Sequence, residues 1–149
     1  MNRHVLTVNL KDDAAAIDAY RRHHARVWPE VLDSLRRAGV REMDIHLLGR
    51  QLVMVVDLED GLDVKRVFAA HRTSSARVAE WEALMKTLQE PVDAAGGGEW
   101  WATMEPVFHM SKSQLSSLHA QDPVPKSQVS NLQAQDRGPK TEVSQVKCE

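Results

Sequence analysis

The chain has 149 residues and a formal net charge of -2, long enough for one domain with a sizeable core and too short for two ordinary ones. A near-neutral chain without clustered Lys and Arg argues against nucleic acid as a partner, because phosphate binding needs concentrated positive charge. The single cysteine, Cys148, rules out an intrachain disulfide, which fits a reducing compartment. No stretch approaches the roughly 20 apolar residues of a membrane span, and "MNRHVLTVNL" has no signal-peptide core. A soluble, cytoplasmic, single-domain protein is the expectation.

"HVLTVNL" (His4 to Leu10) alternates as a strand does. "KDD" offers Asp12 or Asp13 as a cap for "AAAIDAYRRHHAR", which is rich in helix formers. Pro29 cannot continue that helix, and Trp28 before it is pushed out of helical angles. Proline does suit the first position of a helix, so "PEVLDSLRRA" restarts there and ends at Gly39. Two strands follow, Met43 to Leu48 and Gln51 to Leu58, joined at "GR" by a tight hairpin. Helices are predicted over Leu62 to Ala70 and Ser75 to Leu88, the second capped by Ser74 or Ser75. "EPVDAAGGGE" reads as a loop, and "WWATMEPVFHM" as a last extended segment in which Trp100 and Trp101 point to opposite faces.

Composition changes after Met110. The last 39 residues hold no aromatic side chain, and "SQLSSLHAQDPVPK" is followed directly by "SQVSNLQAQDRGPK". Each unit carries two or three aliphatic residues among Ser, Gln, Asp and Pro, too little apolar area to offset the ordering of the chain. Residues 111–149 are therefore expected to be a disordered tail behind a domain spanning 1–110. Within that domain the order strand, helices, strand, strand, helices, strand is the α+β, ferredoxin-like arrangement, an antiparallel sheet with helices on one face. The other face needs cover, commonly from a second copy, so a homodimer is expected.

Helical phase singles out one histidine. With Ile17 at zero and about 100° per residue, Tyr20 falls near -60°, His24 near -20° and His23 near -120°. Tyr20 and His24, four apart, are neighbours on the buried side. An imidazole beside a phenol can move a proton near neutrality. A core histidine satisfied by hydrogen bonds has the same phase. His46, His71 and His109 join His24 in no recognisable metal-ligand spacing, so no metal is expected.

"AYRRHHARVWPEVLDSLRRAG" resembles the N-terminal signature of the L-rhamnose mutarotase family: a tyrosine, a histidine four residues on, then tryptophan–proline–glutamate. "EMDIHLLGRQLVMVVDLED", "VAEWEALM" and "GGEWWATMEPVFHM" are most similar to the L-fucose mutarotase branch, in which Glu follows the first Trp of the helix where rhamnose enzymes carry a second Trp. The resemblance runs from Met1 to Met110. It implies a dimeric ferredoxin-like fold, a monosaccharide substrate such as L-fucose or L-rhamnose, and no cofactor. Carried over by position, the family's proton donor falls on His24 and a sugar-contacting tyrosine on Tyr20. Another sugar-contacting tyrosine of the rhamnose enzymes falls on Met43, which cannot hydrogen-bond a hydroxyl as tyrosine does, and their paired tryptophans fall on Trp81 and Glu82. The reaction implied is exchange of α and β anomers by acid–base ring opening and closure. Since ferredoxin-like dimers also host monooxygenases, that reading and a non-catalytic sugar-binding or scaffold protein stay open from the sequence.

Overall fold

The computed structural model describes residues 2–119. Met1–Glu105 form one compact unit, and a second begins at Pro106. In the first, β1 (Asn2–Leu10) leads to α1 (Ala14–Ala25), capped by the Asp13 carboxylate, which accepts from Ala15 N–H at 3.0 Å. α2 (Pro29–Ala38) starts with Pro29 in its first turn and stops at Gly39, whose φ of 103° is the left-handed region. A Cβ at Gly39 would run into the Leu62 side chain. The hairpin β2 (Val40–Leu48) and β3 (Gln51–Leu58) turns at Gly49, φ 60°. Asp63 caps α3 (Val64–Arg72), and Ser75 caps α4 (Ala76–Leu88).

The sheet is antiparallel with strand order β2-β3-β1-β4, where β4 is Gln89–Glu90 and β5 (Ala102–Thr103) also pairs with β1. This is the α+β, ferredoxin-like arrangement expected. The extended segment expected over Trp100 to Met110 is a strand only at Ala102–Thr103, and the short β4 lies before the loop. Pro91 has no N–H for the ladder, so the chain leaves β1 after Glu90. It passes through the Gly96–Gly98 loop and returns at Ala102, against Thr7. Trp100 and Trp101 precede that strand, and strand alternation does not separate them: both are half-buried.

A register shift between Val40 and Glu42 places a bulge at Arg41. A bulge advances the two-residue alternation by one. Val40 therefore packs on the core, and so do Met43 and Ile45 beyond it. Without the bulge, Met43 would face away from the helices. The apolar positions of β1 and β3 share that inner face. Val8, Leu10 and Leu52 pack with Tyr20, Val78, Trp81 and Met85, while Leu6, Met54, Val56 and Leu58 pack with Val64 and Val67.

In the second unit, Lys112–His119 are helical (α5), within the span where the sequence reading placed no regular element. Ser111 and Gln114 form a reciprocal cap. Gln114 N–H donates to Ser111 Oγ at 3.2 Å, and Ser111 N–H donates to Gln114 Oε1 at 2.9 Å. The remainder of the repeated segment and Cys148 lie outside the described residues.

Candidate active site

A cavity of about 1210 Å³ opens between the sheet and the helices. It exceeds the range of about 300–1,000 Å³ usual for small-molecule sites, so a monosaccharide fits with room for water. Tyr20, His24, Met43, Trp81 and Glu82 all lie on its wall. α1 supplies the first two from one face, the bulged β2 supplies Met43, and α4 supplies the adjacent Trp81 and Glu82.

The Tyr20 and His24 rings stack, with centroids 4.0 Å apart and planes at 24°. His24 Nδ1–H donates to the Tyr20 backbone carbonyl at 3.0 Å, one helical turn back. That bond assigns the tautomer: Nδ1 carries the proton, and the remaining nitrogen, Nε2, has a lone pair. Burial holds the imidazole below the usual histidine pKa. The bond to the Tyr20 carbonyl pulls the other way, and the charge of His23 adds to the lowering. At neutral pH the ring is therefore an acceptor at Nε2.

Tyr20 cannot play that part. Burial pushes its phenol far above the ordinary tyrosine range, and the Glu82 charge pushes it further, against a hydrogen bond from the Gln89 side chain. It stays a neutral hydrogen-bond donor. Gln89 is the residue that sequence reasoning missed here. It is 4 % exposed, caps the end of α4 and begins β4, and its Oε1 accepts from Trp100 Nε1–H at 2.8 Å. One amide thus ties the tryptophan loop to the phenol. A buried glutamine just past a helix carries no sequence signal of such a role.

Trp81 is 4 % exposed. Its ring meets His24 edge-on at 5.4 Å and Trp28 at 5.2 Å, and the Arg77 guanidinium lies 3.6 Å over Trp28. Edge-to-face contacts of this kind contribute about 0.5–1.5 kcal/mol each beyond area burial. Trp81 thus backs the imidazole and offers little face to a ligand. Glu82 keeps a 30 % exposed side chain at the wall, with Oε1 3.5 Å from His71 Nε2. His71 shows no distinctive pattern in the sequence, and the fold brings it to this carboxylate. His46 and His109 do not line the cavity. Among the described residues no group of three or more His, Cys, Asp or Glu is placed to hold a metal ion.

A profile of the L-rhamnose mutarotase family matches residues 3–110. The chain belongs to the L-rhamnose mutarotase family. This mutarotase is 36 % identical over 115 residues to an L-fucose mutarotase of Xanthomonas campestris, covering 76 % of this chain and 91 % of that one. It is 30 % identical over 106 residues to a UPF0734 protein of Dictyostelium discoideum, covering 69 % and 85 %. Among solved structures, an L-rhamnose mutarotase of Formosa agariphila matches with a TM-score of 0.54 at 19 % identity, over 74 % of this chain and all of that one. The tetracenomycin F2 cyclase of Streptomyces glaucescens, a type-II polyketide cyclase, matches at 0.50 and 13 % identity, over 74 % and 98 %. Likeness of fold therefore spans unrelated chemistries, and family membership decides between them: the protein is a carbohydrate isomerase that interconverts anomers. Among the described residues no helix is long and apolar enough to cross a membrane.

Proposed function

We propose that this mutarotase acts on a 6-deoxy-hexose, L-fucose before L-rhamnose, with His24 as the group that moves the proton. The observation that carries the reading is the state of His24: Nδ1 committed to a backbone carbonyl, leaving one lone pair, on Nε2, in a ring that lines the cavity. The resemblance carries the family's proton donor onto His24 by position, and its lowered pKa adds an order of events. Neutral Nε2 first takes the proton of the anomeric hydroxyl. The C1–O1 bond becomes a carbonyl, and the C1–ring oxygen bond breaks with its electron pair going to the ring oxygen. The imidazolium, now a strong donor, returns the proton to that ring oxygen. Rotation about C1–C2 and the same steps in reverse close the ring on its other face. A positioned acid–base group contributes about 10²- to 10⁴-fold.

Tyr20 orients a sugar oxygen through its neutral hydroxyl, Met43 supplies an apolar wall, and Trp81 holds His24 in place. Glu82 binds a sugar hydroxyl. Preference for L-fucose is supported by the similarity to the Xanthomonas enzyme and by Glu82 and Met43, a carboxylate and a thioether where the rhamnose enzymes carry Trp and Tyr. The working unit proposed is the 1–110 domain as a cytoplasmic homodimer. In support, the sheet face turned from the helices carries Val5, Val53 and Val55, only partly buried in one copy. Sedimentation measures that assembly.

The direct test is saturation-transfer NMR on a panel of reducing sugars. Accelerated exchange is expected for L-fucose, with L-rhamnose slower. No acceleration of any 6-deoxy-hexose would refute the substrate class.

A further inference from the structure

A partly exposed carboxylate is useful to a sugar only if it points one way. Behind Glu82 lies a polar line, buried at His71 and Ser34 and reaching the surface at Ser74, that gives it a direction. His71, on α3 and 3 % exposed, places Nε2 at 3.5 Å from Glu82 Oε1. Its Nδ1 lies 2.9 Å from the hydroxyl of Ser34 on α2, itself 3 % exposed. Ser34 Oγ lies 2.8 Å from Ser74 Oγ in the turn between α3 and α4. Two helices and a turn thus converge on a carboxylate carried by a third helix.

The donors can be ordered. An ionised carboxylate only accepts, so the imidazole proton facing Glu82 sits on Nε2. A neutral ring protonated there has a bare Nδ1, which accepts from the Ser34 hydroxyl. Ser34, with its one proton committed, accepts from Ser74. Every donor along the line points towards Glu82, and the bonds of such chains polarise and rigidify one another. At 3.5 Å the last step is longer than an ordinary hydrogen bond; catalytic contacts commonly tighten when substrate binds.

We propose that His71 is a positioning residue that donates through Nε2–H to Glu82 and, braced by Ser34 and Ser74, holds that carboxylate towards the sugar. The inference rests on the reading of Glu82 as a sugar contact. Fixing one rotamer beforehand removes an entropic cost from binding, and misplacing a group by about 1 Å costs on the order of 10²-fold in rate.

The test is a mutant cycle on L-fucose exchange, with kcat and KM resolved, in wild type, His71→Leu, His71→Gln, Glu82→Ala and the His71→Leu/Glu82→Ala double variant. Leu and Gln remove the ring alike, but only Gln keeps an N–H donor of similar reach. His71→Leu is expected to lower kcat roughly ten- to a hundredfold with a smaller change in KM. His71→Gln is expected to recover most of that loss, and the double variant to be no worse than Glu82→Ala. Equal losses for Leu and Gln, or losses that multiply in the double variant, would overturn the proposal. Where His71→Leu does not fold, Ser34→Ala runs the same cycle with a smaller change. A silent Glu82→Ala beside an inactive His24→Ala would sink the Glu82 contact and this proposal together, leaving the mutarotase standing. Nitrogen-15 spectra of His71 decide the contact without any sugar: a proton on Nε2 is expected, and a bare Nε2 would refute it.

Discussion

Two imidazoles reach the same cavity and are built for different work. His24 ends α1, stacks on Tyr20, and has one nitrogen tied to its own helix while the other keeps its lone pair. His71 is almost wholly buried, and both of its nitrogens face protein groups, Ser34 and Glu82. A ring with a spare lone pair can exchange protons with a ligand. A ring with both nitrogens engaged can only hold something else still. Residue type does not separate the two; the second partner does.

The sharpest way to break the comparison is His24→Ala. Catalysed exchange is expected to fall by about 10²- to 10⁴-fold with the circular dichroism of the folded protein retained. A folded His24→Ala enzyme with undiminished exchange by saturation-transfer NMR would move the proton chemistry to another group. The next largest effect is on stability. Trp81 backs His24 from the core, and Trp81→Ala is expected to cost about 3–5 kcal/mol, read from urea unfolding. Trp81→Phe keeps an aromatic edge against the imidazole and is expected to cost less and preserve more of kcat.

The smallest and most diagnostic effect is pH dependence. In the proposed mechanism His24 works from its neutral form, and its folded pKa lies below the ordinary value because burial disfavours the cation. Activity is therefore expected to be level above about pH 6.5 and to fall as pH drops through the lowered folded value. The stability linkage has the same sign. A histidine depressed on folding contributes fully above its unfolded pKa, and that contribution is lost as pH falls towards the folded one. Profiles of kcat/KM and of unfolding midpoint in wild type and His24→Gln measure both. An activity that rises as pH falls would show that the cation acts first. Tyr20, His23 and Glu82 are the titratable groups closest to this reading, and Tyr20 stays neutral throughout.

Much of the fold was legible because local chemistry and burial agreed. Asp13, Pro29, Gly39 and Ser75 bound helices where capping and backbone rules place them. α3 starts two residues later than read because Asp63, and not the residue before Leu62, is its cap, the carboxylate accepting from Arg66 N–H. The last extended segment, Trp100 to Met110, is a strand only at Ala102–Thr103, and Pro106 within it has no N–H for a ladder. The site divides likewise. Tyr20 and His24 meet because they are four apart on one helix, a relation that needs no tertiary knowledge.

What the sequence by itself determined is therefore whatever depends on neighbours within about one turn: the caps, the breaks, and the phenol–imidazole pair on one face of α1. Only the tertiary structure decided that Arg41 bulges and so swings Met43 onto the cavity wall. It alone joined Gln89 to Trp100 and set Ser34, His71 and Glu82 in line across residues 34 to 82. Periodicity reports which side of an element is buried. Which polar groups meet there depends on how separate elements pack, and contacts between distant residues leave no period in the chain.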